Sequence, residues 1–333
     1  MRIGLTYDLC SDWLALGHTA EEVAEFDSEE TIDLLEQAIR ELGHDTVRIG
    51  HARALCERLV TGERWDLVFN IAEGLEGRSR EAQVPALLEL YGIGYTFSDP
   101  LVCAVTLDKA VTKRLVRDAG LATPAFHVVR DEDDLRAAAL ARLRYPLFAK
   151  PIAEGTGKGI GEASYAAGPD DLARVCRDLL ARLRQPVLVE EYLPGREFTV
   201  GLLGNGPRAR AIGTMEVRIR RPVERAIYSF QNKHEYEDVV DYDELAPGPL
   251  RERVEVLALA SYLALECRDG ARVDIRLDAA GAPSFMEINP LPGLNANHSD
   301  LPIIARFADM AFRDLIGGII AAACERLELS NGA

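Results

Sequence analysis

The chain has 333 residues, 48% of them hydrophobic, with 38 Lys and Arg against 54 Asp and Glu, for a formal net charge of −16. A chain of this length holds about two or three domains, and its apolar content supplies a sizeable core, which excludes bulk disorder. The acidic balance excludes a general nucleic-acid binder, which needs a basic footprint, but not an anionic small ligand held by a few local lysines.

"MRIGLTYD" reads as a first strand, with no secretory leader. After an acidic stretch, a helix places Ile32, Leu35, Ile39 and Leu42 on one stripe, with Asp27 as its expected cap, Glu30 three residues on, and Gly43 as its end. "TVRI" and "WDLVFNIAEG" are strands, "AQVPALLELYG" a helix and "IGYTFSD" a fourth strand. Strands alternating with helices predict an N-terminal α/β unit built on a parallel sheet. Asp99 followed by Pro100 reads as a cap with proline at the first helical position. The helix "LDKAVTKRLVRDAG" follows, with Val111 and Leu115 facing inward and Gly120 at its end.

From about residue 125 the pattern becomes mixed α+β. "AFHVV", "YPLFAKP", "GEASYAA", "PVLVEEYL", "REFTVGLL" and "RARAIGTMEV" read as short strands, interrupted by the helix "PDDLARVCRDLLARL". Residues 220 to 248 are polar and irregular, and a loop that long is usually functional or mobile. A helix, "PLRERVEVLALASYLALEC", leads to the strand pair "ARVDIRLD" and "PSFMEIN", a Pro/Gly/Asn-rich loop and a helical tail. The tail's apolar run "LIGGIIAAAC" is too short to span a bilayer. Cys10, Cys56, Cys103, Cys176, Cys267 and Cys324 form no CxxC pair and read as free thiols. Together these features predict a soluble cytoplasmic protein, without a membrane or nucleic-acid partner.

The strand pair carries the strongest chemical signal. A loop of residues 279 to 282 sets Asp278 opposite Pro283. In that register Asp274 faces Glu287 and Arg272 faces Asn289, all on one surface. Two carboxylates about 4 Å apart repel by roughly 4 kcal/mol at an effective dielectric near 20. A hard divalent cation between them reverses the sign, and Mg²⁺ suits one or two carboxylates plus phosphates and water. A solvated face of alternating charge is the alternative reading.

"FAKPIAEGTGKGIGEASY" is a strand, a loop with Gly155, Gly157, Gly159 and Gly161, and another strand. Such glycines let backbone N–H groups approach an anion. It is not a Walker A loop, since Ile152 replaces the first Gly and Gly159 the Ser or Thr. A loop joining two strands covers phosphates as a flap, or is a plain glycine-rich hairpin. Lys150 ends an apolar strand, and Lys109 opens a helix where the macrodipole disfavours a cation. Both positions become sensible beside a triphosphate.

In order along the chain, "DLVFNIAEGLEG…Q…LLELYGIGYT", "LDKAVTKRLVRDAGLATP", "PLFAKPIAEGTGKGI", "VLVEEYLPGREFTVGLLG" and "GARVDIRLD…FMEINPLPGLNANHS" resemble the ATP-grasp superfamily, specifically its D-alanine–D-alanine ligase-like family. The resemblance implies a three-domain ATP-grasp architecture, an N-terminal α/β domain followed by α+β domains. Its parts would be residues 1–105, a central subdomain at 106–200 and a C-terminal subdomain at 201–333, with a mobile loop at 219–248. It implies an ADP-forming carbon–nitrogen ligase, using ATP and two Mg²⁺ ions, that joins amino-acid or small carboxylate and amine substrates as a homodimer.

Residue by residue, Lys109 and Lys150 would contact the ATP phosphates under Thr156 and Gly157 of the glycine loop. Glu190, Glu191, Tyr192 and Leu193 would line the adenine pocket, and Glu197 would hold the ribose. Lys233 would reach the γ-phosphate as its loop closes. Asp274, Glu287 and Asn289 would bind the two metal ions. Arg272 and the Gly293 amide would stabilise the oxyanion, and Ser299 would meet the second substrate's carboxylate.

The family holds its first D-alanine with a Glu, a Ser and a Tyr, and the matching positions here are Glu25, Thr156 and His234. Gly157 replaces a further Ser, and the terminal loop gains one residue before His298 and Ser299. His234 reads either as an ordinary loop residue or as a pH-sensitive substrate contact. The departures sit at the amino-acid pockets, while nucleotide and metal positions stay. The resulting expectation is a ligase of altered substrate specificity. A genuine D-alanine–D-alanine ligase and a non-catalytic nucleotide-binding protein are the alternatives.

Overall fold

The structure is a computed structural model that describes residues 1–219 and 240–329. Its first layer contains β1 (Arg2–Thr6), α1 (Cys10–Ala15), α2 (Glu29–Glu41), β2 (Asp45–Gly50), α3 (Ala52–Val60), β3 (Leu67–Asn70) and α4 (Gln83–Leu90). The strands form a parallel sheet in the order β2-β1-β3. The α2 stripe buries Ile32, Leu35 and Ile39 as its periodicity predicts. Its cap is Ser28, whose hydroxyl accepts from the Thr31 amide at 3.3 Å, rather than Asp27. Helices α1 and α3 escape a periodicity reading because one buries no residue and the other only Leu55 and Leu59.

The expected fourth strand reduces to a single bridge between Val68 and Tyr95. Two residues later Phe97 turns to φ +69°, and its amide leaves the sheet for the Asp269 carboxylate at 2.8 Å. Helix α5 (Pro100–Leu107) begins as predicted, with Asp99 accepting from the Val102 amide at 2.9 Å. Helix α6 (Lys109–Asp118) is rotated from expectation. It buries Lys109, Ala110, Thr112, Lys113 and Val116, while Leu115 is 44% exposed and Val111 is half-buried. Charge pairing of Lys109 and Lys113 shares its inward face with the apolar burial of Ala110 and Val116.

The second layer contains β4 (Phe126–Val129), α7 (Glu132–Leu135), β5 (Leu147–Pro151), β6 (Tyr165–Ala166), α8 (Pro169–Leu183) and β7 (Val187–Glu191). Its antiparallel order is β4-β7-β5-β6. Helix α8 presses Leu172, Val175 and Leu179 onto Leu147, Ala149, Val187 and Val189.

The third layer contains β8 (Glu197–Leu203), β9 (Arg210–Ile219), β10 (Val240–Glu244), α9 (Pro249–Ala264), β11 (Gly270–Leu277), β12 (Pro283–Asn289), α10 (Asp300–Phe307) and α11 (Phe312–Arg326). The sheet order is β10-β9-β8-β11-β12, antiparallel throughout. The stretch read as irregular to residue 248 becomes a strand at Val240, where Val240 and Tyr242 alternate with Asp241 and Asp243. Helix α9 covers one face of the sheet through Val254, Ala258 and Tyr262, packed with Phe198, Val273 and Phe285.

The apolar run near the C-terminus is core. Ile316, Ile319 and Ile320 of α11 share one cluster with Leu5, Ile39 and Phe69 of the first layer. Among the described residues no helix is long and apolar enough to cross a membrane. Asp269, fully buried, ties the layers further by accepting from the Phe97 amide, Asn205 at 3.0 Å and Arg326 at 2.8 Å. All six cysteines are free.

Candidate active site

The β11–β12 hairpin pairs Asp274 with Glu287 and Arg272 with Asn289, as the sequence predicts. It does so by a different route. At the turn Leu277, not Asp278, faces Pro283, so pairing there is one residue off. Asp278 instead caps the turn, its carboxylate accepting from the amides of Ala280 and Ala282 at 2.9 and 2.8 Å. A bulge then pairs Asp274 with Glu287 but Ile275 with Phe285, leaving Met286 as the extra residue. The bulge restores the expected register at the end of the hairpin that carries the acids.

Around this hairpin charges are interleaved. Arg272 hydrogen-bonds Asp274 and approaches Asp300, the first residue of α10, at 3.6 Å. Burial pushes the Arg272 guanidinium down, but Asp274, Asp300 and Glu287 outweigh it and hold it above its ordinary value. Thr199 donates to Asp274 at 2.9 Å, and Lys109 lies 3.5 Å from Glu287. Two carboxylates and one amide oxygen on a shared face suit Mg²⁺, which rarely uses an all-protein cage. Among the described residues no three Asp, Glu, His or Cys side chains converge to hold a metal ion.

One cleft runs from this hairpin to the second layer, and its walls include Lys150, Gly157, Glu190, Tyr192, Glu197 and Asp274. Glu190, 1% exposed, sits between Lys113 at 2.9 Å and Lys150 at 3.0 Å. Burial pushes the Glu190 carboxyl up, and the two ammonium groups more than offset it, leaving it below its ordinary value. Lys113 is 0% exposed. Burial lowers it to about 8, against the partial compensation of Glu190 and with Lys150 adding to the fall. Lys150 stays above its ordinary value because Glu190 and Glu287 outweigh its burial. Two lysines on one carboxylate leave a positive excess beside the cleft, suited to an anionic ligand.

Arg276 braces the same wall, 3.2 Å from Glu197 and 3.2 Å from the Tyr192 hydroxyl, with its guanidinium 5.1 Å from that ring's centre. Tyr165 meets Tyr192 edge-on at 5.0 Å. Leu193 and the Glu191 position also line the cleft. The Glu191 carboxylate is itself taken by Arg144, at 3.1 and 2.8 Å.

A second cavity of about 570 Å³ adjoins the first and shares Arg272, Glu287 and Asp300 with it. Its lining brings together Glu25, Lys109, Thr156, Asn289, Gly293 and Ser299. Gly155 donates its amide to Glu25 at 3.1 Å, and a Cβ there would lie 2.8 Å from that carboxylate. Glu25 also pairs with Arg80 at 2.8 Å. Burial pushes Glu25 up, but Arg80 and the Gly155 amide bring it below its ordinary value. Thr156 holds φ +52°, a left-handed conformation costly for a β-branched residue. Gly293 faces the Ser299 hydroxyl, 2.9 Å from where its Cβ would stand. That hydroxyl accepts from the Asn295 amide at 3.0 Å. Lys233 and His234 lie outside the described residues.

Sequence reasoning missed Lys113, Asp300, Arg80, Glu73 and Glu81. Lys113 was visible as a lysine four residues after Lys109, hence on the same helical face. Asp300 follows Ser299 directly. Arg80, Glu73 and Glu81 stand in a loop and a short turn without periodicity, so no local signal exposes them.

The family model for the D-ala D-ala ligase C-terminus matches residues 115–321. The chain is 33% identical over 312 residues to an uncharacterized protein, y4sG, of Sinorhizobium fredii, covering 88% of this chain and 87% of that one. It is 36% identical over 263 residues to a D-alanine--D-alanine ligase of Cupriavidus necator, covering 78% and 76%. The solved structure of D-alanine--D-alanine ligase from Bacillus anthracis complexed with ATP superposes with a TM-score of 0.72 at 24% identity, over 98% of this chain and 99% of that one. The chain therefore belongs to the D-alanine–D-alanine ligase family of ATP-grasp enzymes, ATP-dependent ligases that form a peptide bond and release ADP.

Proposed function

We propose that this ligase joins two amino-acid-like substrates through an acyl phosphate, with a preference other than D-alanine for D-alanine. The observation that carries the altered preference is the Arg80–Glu25 ion pair at 2.8 Å. Glu25 is a position that the family resemblance gives to the first substrate, and here a guanidinium already pairs with it. The two-lysine triad around Glu190 supports triphosphate binding in the adjoining cleft.

In this reading the first substrate's carboxylate oxygen attacks the γ-phosphorus, and the bond to the bridging oxygen breaks as ADP leaves. The second substrate's amine then attacks the acyl carbon, loses a proton, and expels phosphate. Lys109 and Lys150 neutralise the phosphate oxygens, while Arg272 and the Gly293 amide stabilise the oxyanion. Mg²⁺, held by Asp274, Glu287 and Asn289, would supply further neutralisation of the phosphates. Tyr192, Leu193 and the backbone at Glu190 and Glu191 hold the base, and Glu197 the ribose. Ser299 orients the second carboxylate, and Thr156 and Gly157 cover the nucleotide. The reading extends to a cytoplasmic homodimer working as three domains, divided near residues 105 and 200.

The test is ADP formation across a panel of D- and L-amino acids. Release with pairs other than D-alanine supports the proposal. Release with D-alanine alone makes the chain a D-alanine–D-alanine ligase. ATP binding without release in any mixture leaves a nucleotide-binding protein.

A further inference from the structure

One end of the larger cavity holds more carboxylate than its surroundings neutralise. Asp27, Glu73 and Glu81 all line it. Among the described residues none of their carboxylates has a hydrogen-bond or ion-pair partner. Glu81 is only 8% exposed, so its carboxylate meets the cavity and little else. The nearby cations are engaged. Arg80 pairs with Glu25 at 2.8 Å, Lys158 with Glu154 at 2.9 Å, and Lys109 donates to the Glu154 carbonyl at 2.6 Å.

We propose that this end of the cavity takes, as first substrate, an α-amino acid carrying a second amino group on its side chain. The proposal rests on the ligase reading and names the substrate class of that site. An α-ammonium answers one of the free carboxylates and leaves two. A side-chain ammonium, a few bonds further on, answers a second and brings three donors to it. A bare metal ion is the poorer match, because among the described residues no three such acids converge on one point. The cavity, about 570 Å³, falls in the range of small-molecule sites. Burial, and then neighbouring carboxylates for Asp27 and Glu73, raise the protonation range of these acids, with Asp27 and Glu81 at about 7. A cation beside these carboxyls favours their charged forms.

Calorimetric titration of the full chain, with Mg²⁺ and a non-hydrolysable ATP analogue, compares ornithine with norvaline, which lacks only the terminal amine. Both enantiomers are tested. One enantiomer of ornithine is expected to bind roughly tenfold or more tightly than norvaline, as a charge-assisted hydrogen bond provides. Glu81→Gln and Glu73→Gln, both isosteric, are each expected to shrink that ratio several-fold. If either variant does not fold by circular dichroism, the other carries the comparison. Equal affinity for the two ligands, absence of ornithine binding, or a ratio unchanged in the folded variants overturns the proposal. ADP formation separates the two readings. Preferential ornithine binding without ADP release in any amino-acid mixture sinks the ligase reading and leaves the binding preference standing. ADP release with alanine as efficient as with ornithine does the reverse.

Discussion

The two ends of the cleft handle buried charge in opposite ways. On the second-layer side, Glu190 is held by Lys113 and Lys150 at 2.9 and 3.0 Å, a closed set with a positive excess. On the first-layer side, Asp27, Glu73 and Glu81 line a cavity without partners among the described residues, a set with a negative excess. The first set suits an anionic phosphate chain and the second a cationic organic group. The two polarities therefore lie on opposite sides of the site, the positive set toward the second layer and the carboxyl set toward the first.

The comparison breaks most visibly at Lys113. Lys113→Met leaves Glu190 fully buried with one partner, and unfolding by urea is expected to show a loss of about 3–5 kcal/mol. A loss under about 1 kcal/mol would mean that the set is not a closed one. Asp274→Asn leaves that triad alone and removes one acid of the hairpin. It is expected to lower kcat for ADP formation by about 10²–10³-fold, with the fold intact by circular dichroism.

The pH dependence of stability sharpens the contrast because the two sets have opposite signs. Asp27 and Glu81 are raised from 3.8 and 4.5 to about 7, so the stability they lend is complete below those ordinary values and is lost as pH climbs through 7. Lys113 is depressed from 10.5 to about 8, so its contribution is present above 10.5 and lost as pH falls through 8. Stability measured by urea at fixed temperature is expected to dip between the two windows. Glu81→Gln should flatten the acid limb by on the order of 2 kcal/mol and spare the alkaline one. The smallest effect belongs to Arg144→Ala. Its partner Glu191 neighbours Glu190 in sequence, but Arg144 is 86% exposed and solvent-screened, so urea unfolding of the variant is expected to match that of the parent chain.

Much of this site is legible in the chain. Alternation in "ARVDIRLD" and "PSFMEIN" puts Arg272 and Asp274 on one face of their strand and Glu287 and Asn289 on one face of theirs, and the pairing register makes the two faces coincide. Loop spacing places the turn one residue off, and a bulge at Met286 restores the register, because bulges answer to twist and packing rather than to local sequence. The inward face of α6 was misjudged for a related reason. Apolar periodicity favours Val111 and Leu115, but Glu190 on a distant strand draws Lys113 inward instead. Asp27 precedes a helix and so reads as its cap, whereas Ser28 performs that role and leaves Asp27 lining the cavity.

Local sequence determined the strands, most helices and which acid, amide and guanidinium groups share a strand face in the hairpin, since these depend on residues a few positions apart and on the periods of strand and helix. It also carried the family. Tertiary structure alone decided which charges are balanced. Arg80 meets Glu25, Lys113 meets Glu190 and Arg326 meets Asp269 only because folding brings residues more than 50 positions apart within about 3 Å. Coulomb energy depends on that distance and on the water excluded around it, and neither is written in the order of residues.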